Sequence, residues 1–342
     1  MRRYLLAPRL ASNRLWRIAG AVPSLHLSPR ETGNWTDLIS GTDLTTFSRA
    51  NTQPTYELDG VGGLVGFSSG QRAIGYSPET GVRGGSIFGQ RTQLLASPDA
   101  PATQSLTLSA VQHQLTLFGT GSVTLSGAAT GTLTGTGASN RVSLSFTPTA
   151  GSVTFTVSGS VSRFNLTAGS VVYPHLGGAI TCPADVLSIG GTNFSQWYQQ
   201  AGGTLLVSAS RQVMGALEYT STSTFHNGTS SNRILAPWMV ESETNSSIVV
   251  SGSGVAAVSQ SSFSGVRKRT TAIRIAAYNL AISTNGRSPT VATSGALPTI
   301  NTLQIGADVN GGNPLNGHIY DILYWPPGSP AENRLQQLSA AL

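Results

Sequence analysis

The chain has 342 residues, and 122 of them are Gly, Ser or Thr (40, 44 and 38 of each), whereas only 10% are charged. Globular proteins carry roughly 25% charged residues, so this surface is polar chiefly through hydroxyl groups. Because 39% of the residues are hydrophobic and only one is Cys, the composition excludes a disordered tail, a long-helix protein and a disulfide scaffold. An all-β protein of many short strands fits these numbers.

The formal net charge of +6 is concentrated at the N-terminus. Five basic residues lie within the first 17 positions, which contain no acid: Arg2, Arg3, Arg9, Arg14 and Arg17. We interpret residues 1–45 as a basic attachment arm that begins with a short helix. Such an arm suits nucleic acid, an anionic membrane or a larger protein assembly. We favour the assembly and expect no nucleic-acid partner. We also expect no membrane insertion, because no run of 18 apolar residues occurs.

Two segments with different patterns follow the arm. Residues 46–99 form a turn-rich leader of short strands or extended chain, in which pairs such as Asp59-Gly60 recur. Between 100 and 175, apolar and hydroxyl residues alternate, as in Val153-Thr154-Phe155-Thr156-Val157. A period of two predicts strands with one buried face, and the glycines between them indicate hairpins. We predict a small antiparallel β-sandwich of four to six strands at 100–175.

The remainder, 176–342, predicts a second β-sandwich, with strands at 203–209, 247–251, 271–278, 303–306 and 317–324. A short C-terminal helix should follow, N-capped by Ser329, with Pro330 at its first position and Glu332 completing a capping box. The predicted fold class is therefore all-β: two antiparallel β-sandwich modules after an extended N-terminal segment, with a short C-terminal helix.

Three stretches of the chain resemble a group of bacteriophage and prophage virion proteins. The first runs from Thr46-Phe47-Ser48-Arg49 through Tyr76-Ser77-Pro78-Glu79-Thr80-Gly81 to Arg91-Thr92-Gln93-Leu94-Leu95; the second is 118–166; the third begins at Ala184-Asp185-Val186-Leu187 and ends at Leu315-Asn316-Gly317-His318-Ile319-Tyr320 with the closing helix. Two departures stand out. Gln93 replaces the group's usual Asn, and Gly85-Ser86 replaces an apolar–acidic pair.

The resemblance implies a concanavalin-like or laminin-G-like jelly roll at 176–342 and a carbohydrate-binding-like sandwich at 100–175. It implies a structural protein of the virion surface, made in the host cytoplasm, in a tail-fibre, tail-tip or head-fibre position. Other virion proteins would bind the N-terminal segment, and host-surface glycan would bind the sandwiches. Self-association into a homo-oligomer, a trimer by analogy with fibres, is also expected. A decoration protein without glycan binding and a polysaccharide depolymerase stay open as alternatives.

Residues for catalysis are scarce. Glycoside hydrolysis needs two nearby carboxylates, and the acids pair closely only at Glu57 with Asp59 and at Glu241 with Glu243. No Asp or Glu occurs from 100 to 184. We therefore expect no enzyme and no organic cofactor, with Glu241 and Glu243 as the first candidates in the depolymerase alternative.

Glycan binding should use rings that stack on sugars and side chains that hydrogen-bond or carry positive charge. The candidates are Trp238, Trp325, Trp197, Tyr198, Arg267, Lys268 and Arg269. A weaker candidate is a Ca²⁺ loop at Asp308, Asn310 and Asn313, because these residues offer hard oxygen ligands beside glycines. An ordinary turn is the favoured interpretation of that loop.

Overall fold

The computed structural model of the chain describes residues 10–49, 54–68, 70–212, 219–239, 244–263, 267–293 and 295–342, without the side chains of 10–13, 237–239 and 245–247. Its helices are α1 (Leu10–Ala19), α2 (Pro29–Thr32), α3 (Gly191–Ser195) and α4 (Leu335–Ser339), with 3₁₀ turns at Val309–Gly311 and Glu332–Arg334. No helix within the described ranges has the length and apolarity needed to span a bilayer.

Antiparallel strands make up most of the molecule. Those before residue 100 are β1 (Leu25–Leu27), β2 (Thr46–Ser48), β3 (Thr55–Leu58), β4 (Leu64–Phe67), β5 (Ile74–Tyr76), β6 (Arg83–Ile87) and β7 (Arg91–Thr92). The next are β8 (Gln104–Leu108), β9 (His113–Gly119), β10 (Ser122–Gly127), β11 (Gly131–Thr134), β12 (Gly137–Phe146), β13 (Gly151–Ser158) and β14 (Val161–Ala168). The last are β15 (His175–Leu176), β16 (Thr181–Cys182), β17 (Val186–Gly190), β18 (Gly202–Arg211), β19 (Tyr219–His226), β20 (Asn232–Met239), β21 (Asn245–Ser251), β22 (Gly254–Gln260), β23 (Lys268–Ala276), β24 (Asn279–Thr284), β25 (Thr290–Ala292), β26 (Thr302–Ile305) and β27 (Gly317–Trp325).

Strands β8 to β14 form the small sandwich. One sheet has the order β11-β10-β13-β8 and the other has the order β12-β9-β14. The apolar members of the alternating segments point into its core, where Val123, Val153 and Phe155 are fully buried. The alternation therefore predicts the right faces, and the sandwich has seven strands where four to six were expected.

The large sandwich packs two sheets face to face. The first sheet has the order β25-β24-β23-β18-β27-β6-β5, with β1 added against β27, and the second has the order β2-β17-β26-β19-β20-β21-β22. Side chains such as Leu205 and Ile322 from the first sheet meet Phe225 and Leu303 from the second in one buried core. The all-β jelly-roll architecture expected from the sequence is confirmed.

The large sandwich draws strands from well before residue 176. β1, β5 and β6 belong to its first sheet and β2 to its second, so the boundaries expected at 45 and 99 do not separate structural units. The expected leader thus contributes β2, β5 and β6 to the jelly roll, while its β3 and β4 pair with β15 in a separate small sheet. Strands of three to five residues are too short for a period of two to be detected.

The small sandwich is an insertion in the large one. The chain leaves through β7 and returns through β16, and these two strands pair antiparallel, with Thr92 opposite Thr181 and Arg91 opposite Cys182. β15 also returns to pair with β3. Both ends of the small sandwich are thus anchored at neighbouring points of the large one.

The N-terminal helix is docked against the large sandwich. Leu15 and Ala19 of α1 pack with Leu335 and Leu338 of the C-terminal segment on the outer face of the first sheet. Arg14 and Arg17 are exposed on the opposite side of α1. Residues 10–45 are therefore not a free arm, while Arg2, Arg3 and Arg9 lie outside the described residues.

The C-terminal helix exists, but its expected start is wrong. The helical turns begin after Ala331, and α4 itself begins at Leu335. Ser329 caps no helix. Glu332 forms no capping box and instead accepts a hydrogen bond from Arg274 of β23 at 3.1 Å. An ion pair with the sheet replaces the local cap.

Candidate functional site

An open groove lies at the edge of the first sheet, beside its last strand β5. It has a volume of about 490 Å³, and its walls are formed by Gly33, Asn34, Trp35, Phe67, Gly70, Gln71, Arg72, Ile74 and Arg83. We call it the arginine groove. None of these wall residues is acidic, and two of them are arginines.

The end of α2 forms one wall of the arginine groove. Pro29 opens this short helix, and Gly33 ends it in the left-handed conformation (φ 68°) with its N–H bonded to the Pro29 carbonyl. Arg83 of β6 donates from Nε and Nη2 to the carbonyl of Arg30 at 3.2 and 2.9 Å, and from Nη2 to that of Glu31 at 2.9 Å. These bonds fix the guanidinium against the helix end.

Gly33 leaves room beside that guanidinium. A Cβ atom on residue 33 would lie 3.2 Å from Nη1 of Arg83, and such close contacts are uncommon. The left-handed φ also disfavours any other residue there. A glycine at this position therefore keeps the Nη1 side of Arg83 clear.

The turn that follows β4 forms the opposite wall. Arg49 is buried and donates from Nη2 to the carbonyls of Phe67, Ser68 and Gln71 at 3.3, 3.0 and 3.3 Å. Gln71 accepts the Ser68 N–H at 2.9 Å. One buried arginine thus sets the shape of this wall.

Arg49 is held by a buried acid. Asp185 Oδ1 accepts from Arg49 at 3.3 Å, while Oδ2 accepts the Phe88 N–H at 2.9 Å and lies 3.8 Å from Arg91. Arg49 and Arg91 belong to the first stretch that carries the virion-protein resemblance, and Asp185 belongs to the third. Those motif residues therefore meet at one buried ion cluster, a contact that the sequence alone does not reveal.

Gln93, the departure from the group's usual Asn, joins the leader to the small sandwich. Its amide nitrogen donates to the Phe164 carbonyl at 3.2 Å and to Asn165. Its amide oxygen accepts the Leu95 and Leu166 N–H groups at 3.1 and 2.9 Å. The longer side chain thus satisfies buried polar groups on both segments.

Three aromatic candidates for glycan stacking are unsuited to that role. Trp325 is fully buried and donates its indole N–H to the Ala21 carbonyl at 3.0 Å. Trp197 and Tyr198 lie in the core of the large sandwich, in ring contact with Phe225 and Tyr324. Large rings near strands are commonly recruited to the core, and these three have no face open to a sugar.

The fourth aromatic candidate, Trp238, lies in β20, where its backbone is opposite Thr220 and Asn245. Its side chain is outside the described part of the structure. Glu241 and Glu243, the acids considered for the depolymerase alternative, are also outside it.

The basic triplet does not form one patch. Lys268 lies 5.5 Å from the ring centre of Tyr320, and burial together with nearby Arg30 lowers the pKa of Lys268 below its ordinary value. Arg269 is buried and stacks at 4.7 Å on Phe263. Arg267 is half-buried just before β23. Neighbouring residues of a strand point to opposite faces, so the charges of Lys268 and Arg269 are separated.

The candidate Ca²⁺ loop is organised as a turn. Asp308 accepts the Val309 N–H at 2.7 Å with one oxygen, and its other oxygen pairs with Arg233. Asn310 and Asn313 have left-handed φ values of 58° and 45°. Because a guanidinium already neutralises the carboxylate, the geometry favours the turn interpretation. Within the described ranges, no three His, Cys, Asp or Glu side chains cluster as metal ligands.

The acids Glu57 of β3 and Asp59 of the turn after it have separate structural contacts. Glu57 is buried, with Oε2 at 3.3 Å from Nε2 of His318. Asp59 Oδ1 accepts the N–H groups of Val61 and Gly63 at 2.9 and 2.8 Å in the turn before β4. Both carboxylates are engaged within the fold, and neither lines the arginine groove.

No protein family and no curated protein sequence matches this chain. Among solved structures, it is similar to the CBM40 domain of the Ruminococcus gnavus sialidase bound to α2,6 sialyllactose, with 14% identity and a TM-score of 0.35 over 41% of this chain and 83% of that one. It is also similar to mouse laminin α1 domains LG4-5, with 10% identity and a TM-score of 0.28 over 70% of this chain and 88% of that one. A third similar structure is an arabinofuranosidase complexed with arabinofuranosyl-α-1,2-xylobiose, with 13% identity and a TM-score of 0.34 over 97% of this chain and 65% of that one. At these TM-scores the similarities carry no functional argument.

Proposed function

We propose that this chain is a structural protein that binds glycan in the arginine groove without catalysing a reaction on it. The observation that carries the proposal is the groove itself. Its volume of about 490 Å³ falls within the range typical of small-molecule sites. Its walls combine the half-buried ring of Phe67, the exposed amides of Asn34 and Gln71, and two arginines.

This set of side chains suits binding better than hydrolysis. A ring and an apolar side chain contact the apolar faces of a sugar, while amide and guanidinium groups hydrogen-bond its hydroxyls. Hydrolysis would require a carboxylic acid and a carboxylate on the walls, and the walls carry neither.

The proposal places the protein on the surface of a phage-like particle, as a tail-fibre, tail-tip or head-fibre component. The support is the sequence resemblance, strengthened by the meeting of Arg49, Arg91 and Asp185 in one cluster. Arg14 and Arg17, exposed on the docked α1, together with the basic residues before them, would contact other virion proteins. A homo-oligomer would present several grooves, so that individually weak sites gain avidity.

Glycan binding is tested with the full-length protein on an array of neutral and acidic bacterial surface polysaccharides. The wild type should bind at least one of them. Phe67→Ala should weaken that binding about fivefold, the loss expected from one aromatic contact. Tyr219→Ala, which removes an exposed ring far from the groove along the chain, is the control and should bind as the wild type does.

Three results would contradict the proposal. Absence of binding to every polysaccharide would favour the decoration protein. Release of oligosaccharides from a bound polymer would establish a depolymerase. Particles on which antibodies against this chain find no target in electron micrographs would remove the virion assignment.

A further inference from the structure

The arginine groove carries positive charge that the fold does not fully neutralise. Arg72 forms an ion pair with Asp43. For Arg83, no carboxylate of the described residues lies within 4.0 Å, and its partners are the neutral carbonyls of Arg30 and Glu31. The groove therefore offers one guanidinium without a directly contacting acid.

The Arg83 guanidinium is also oriented before any ligand arrives. Its Nε and Nη2 groups are occupied by the end of α2, and Gly33 leaves the Nη1 side clear. A planar, pre-oriented guanidinium recognises anionic oxygens through short, charge-assisted hydrogen bonds. Little side-chain entropy is lost when such a group binds.

Two amides line the same groove as this charge. Asn34 accepts the Thr36 N–H at 3.0 Å through its oxygen, and Gln71 accepts the Ser68 N–H at 2.9 Å in the same way. Because both oxygens are engaged, the NH₂ group is what each side chain offers to the groove. Both amides would add donors beside the guanidinium.

We propose that the arginine groove is selective for an acidic sugar, whose carboxylate binds Arg83 while its ring hydroxyls accept from Asn34 and Gln71. This inference rests on the glycan binding proposed above and names the class of sugar. Arg83 is then the residue that determines specificity, and a neutral sugar would leave its charge without a partner.

The test compares three acidic polymers, namely polysialic acid, polygalacturonate and hyaluronate, with their carboxyl-reduced forms on the full-length protein. At least one acidic form should bind about tenfold more tightly than its reduced form, the range expected for one charge-assisted hydrogen bond. Arg83→Gln should remove this difference. Arg287→Gln is the matched control, because Arg287 is exposed and also donates to two backbone carbonyls, those of Ser261 and Ser262.

A second pair of variants changes the charge without removing any bond seen in the structure. In Asn34→Asp and Gln71→Glu, the carboxylate oxygen can still accept the Thr36 or Ser68 N–H. Each should weaken binding of the acidic polymer about tenfold by like-charge repulsion and leave the melting temperature unchanged. Gln337→Glu, an exposed site on α4, controls for the change in net charge.

The outcomes separate this inference from the proposed function. Equal affinity for the acidic and carboxyl-reduced forms overturns the acidic selectivity and leaves glycan binding intact. Tighter binding to a phosphodiester polymer such as teichoic acid than to any carboxylated polymer overturns the carboxylate assignment. Absence of binding to all acidic and neutral glycans removes both.

Discussion

The two sandwiches are assembled from the chain in different ways. The small one uses consecutive strands, from β8 to β14, and its core is formed from that segment together with the buried Leu95 and the partly buried Leu94 just before it. The large one unites strands as distant in sequence as β1 and β27, which pair from Leu25 opposite Tyr324 to Leu27 opposite Ile322. Short-range patterns in a sequence therefore describe the first sandwich far better than the second.

That difference explains what the sequence could predict. In β13, Val153, Phe155 and Val157 alternate with threonines, and the structure turns the three apolar side chains toward the small core. β5 and β6 have only three and five residues with several glycines, so their place in the jelly roll depends on partners far along the chain. Propensity and periodicity contain no information about such partners.

The candidate site was missed for the same reason. The arginine groove joins residues 33–35, 67, 70–72, 74 and 83, which share no motif and meet only through the ends of α2 and β4. Whether an aromatic side chain is exposed also depends on residues far along the chain. Trp325 is buried by Ala21 and α1, about 300 residues earlier. The one available signal was Arg83, an arginine placed directly after a turn and followed by two glycines.

Whether the two sandwiches unfold separately is tested most severely by Phe155→Ala. Phe155 is fully buried in the small core, so its truncation should lower the free energy of unfolding by about 3–5 kcal/mol. Hydrogen exchange of residues 104–168 should accelerate, while the tryptophan-fluorescence midpoint should not move, because every Trp lies outside 100–175. The exposed neighbour Thr156→Ala is the control, with a change below about 0.5 kcal/mol. A fall of the fluorescence midpoint in Phe155→Ala would show that the two sandwiches unfold as one unit.

Asp185→Ala is the converse experiment, because it should destabilise the large sandwich and leave the small one unchanged. It leaves Arg49 and Arg91 buried without their shared acid, and breaking a buried ion pair costs about 3–5 kcal/mol. The fluorescence midpoint should fall, while exchange within 104–168 should change little. Asp99→Ala removes a half-exposed acid from its contact with His175 and should cost no more than about 1 kcal/mol. Equal losses in the two variants would contradict the role assigned to the buried cluster.

A smaller change in the free energy of unfolding, confined to the large sandwich, is expected when the pH is varied. Burial raises the pKa of Asp321 to about 6, although Arg30 and the Ser28 hydroxyl oppose the shift and Glu31 adds to it. The folded state then binds the proton more tightly than the unfolded state. The stabilisation is complete below the unfolded pKa near 4 and is lost as the pH rises through about 6.

The measurement is the free energy of unfolding of the wild type minus that of Asp321→Asn, from pH 4 to pH 7.5. This difference should fall by at most about 3 kcal/mol. Burial lowers the pKa of His113, His175 and His226 and gives slopes of the opposite sign, but these cancel in the difference. A difference independent of pH would show that Asp321 titrates normally.

The antiparallel pairing of β7 and β16 has a consequence for how the molecule can be altered. Paired Cα atoms in such a ladder lie about 5 Å apart, and the hydroxyls of Thr92 and Thr181 are within hydrogen-bond distance of each other at 2.9 Å. This two-strand stem therefore holds the two ends of the inserted segment side by side, which is the geometry needed to join another module with adjacent ends. We expect replacement of the small sandwich at this stem to leave the two sheets of the jelly roll in place.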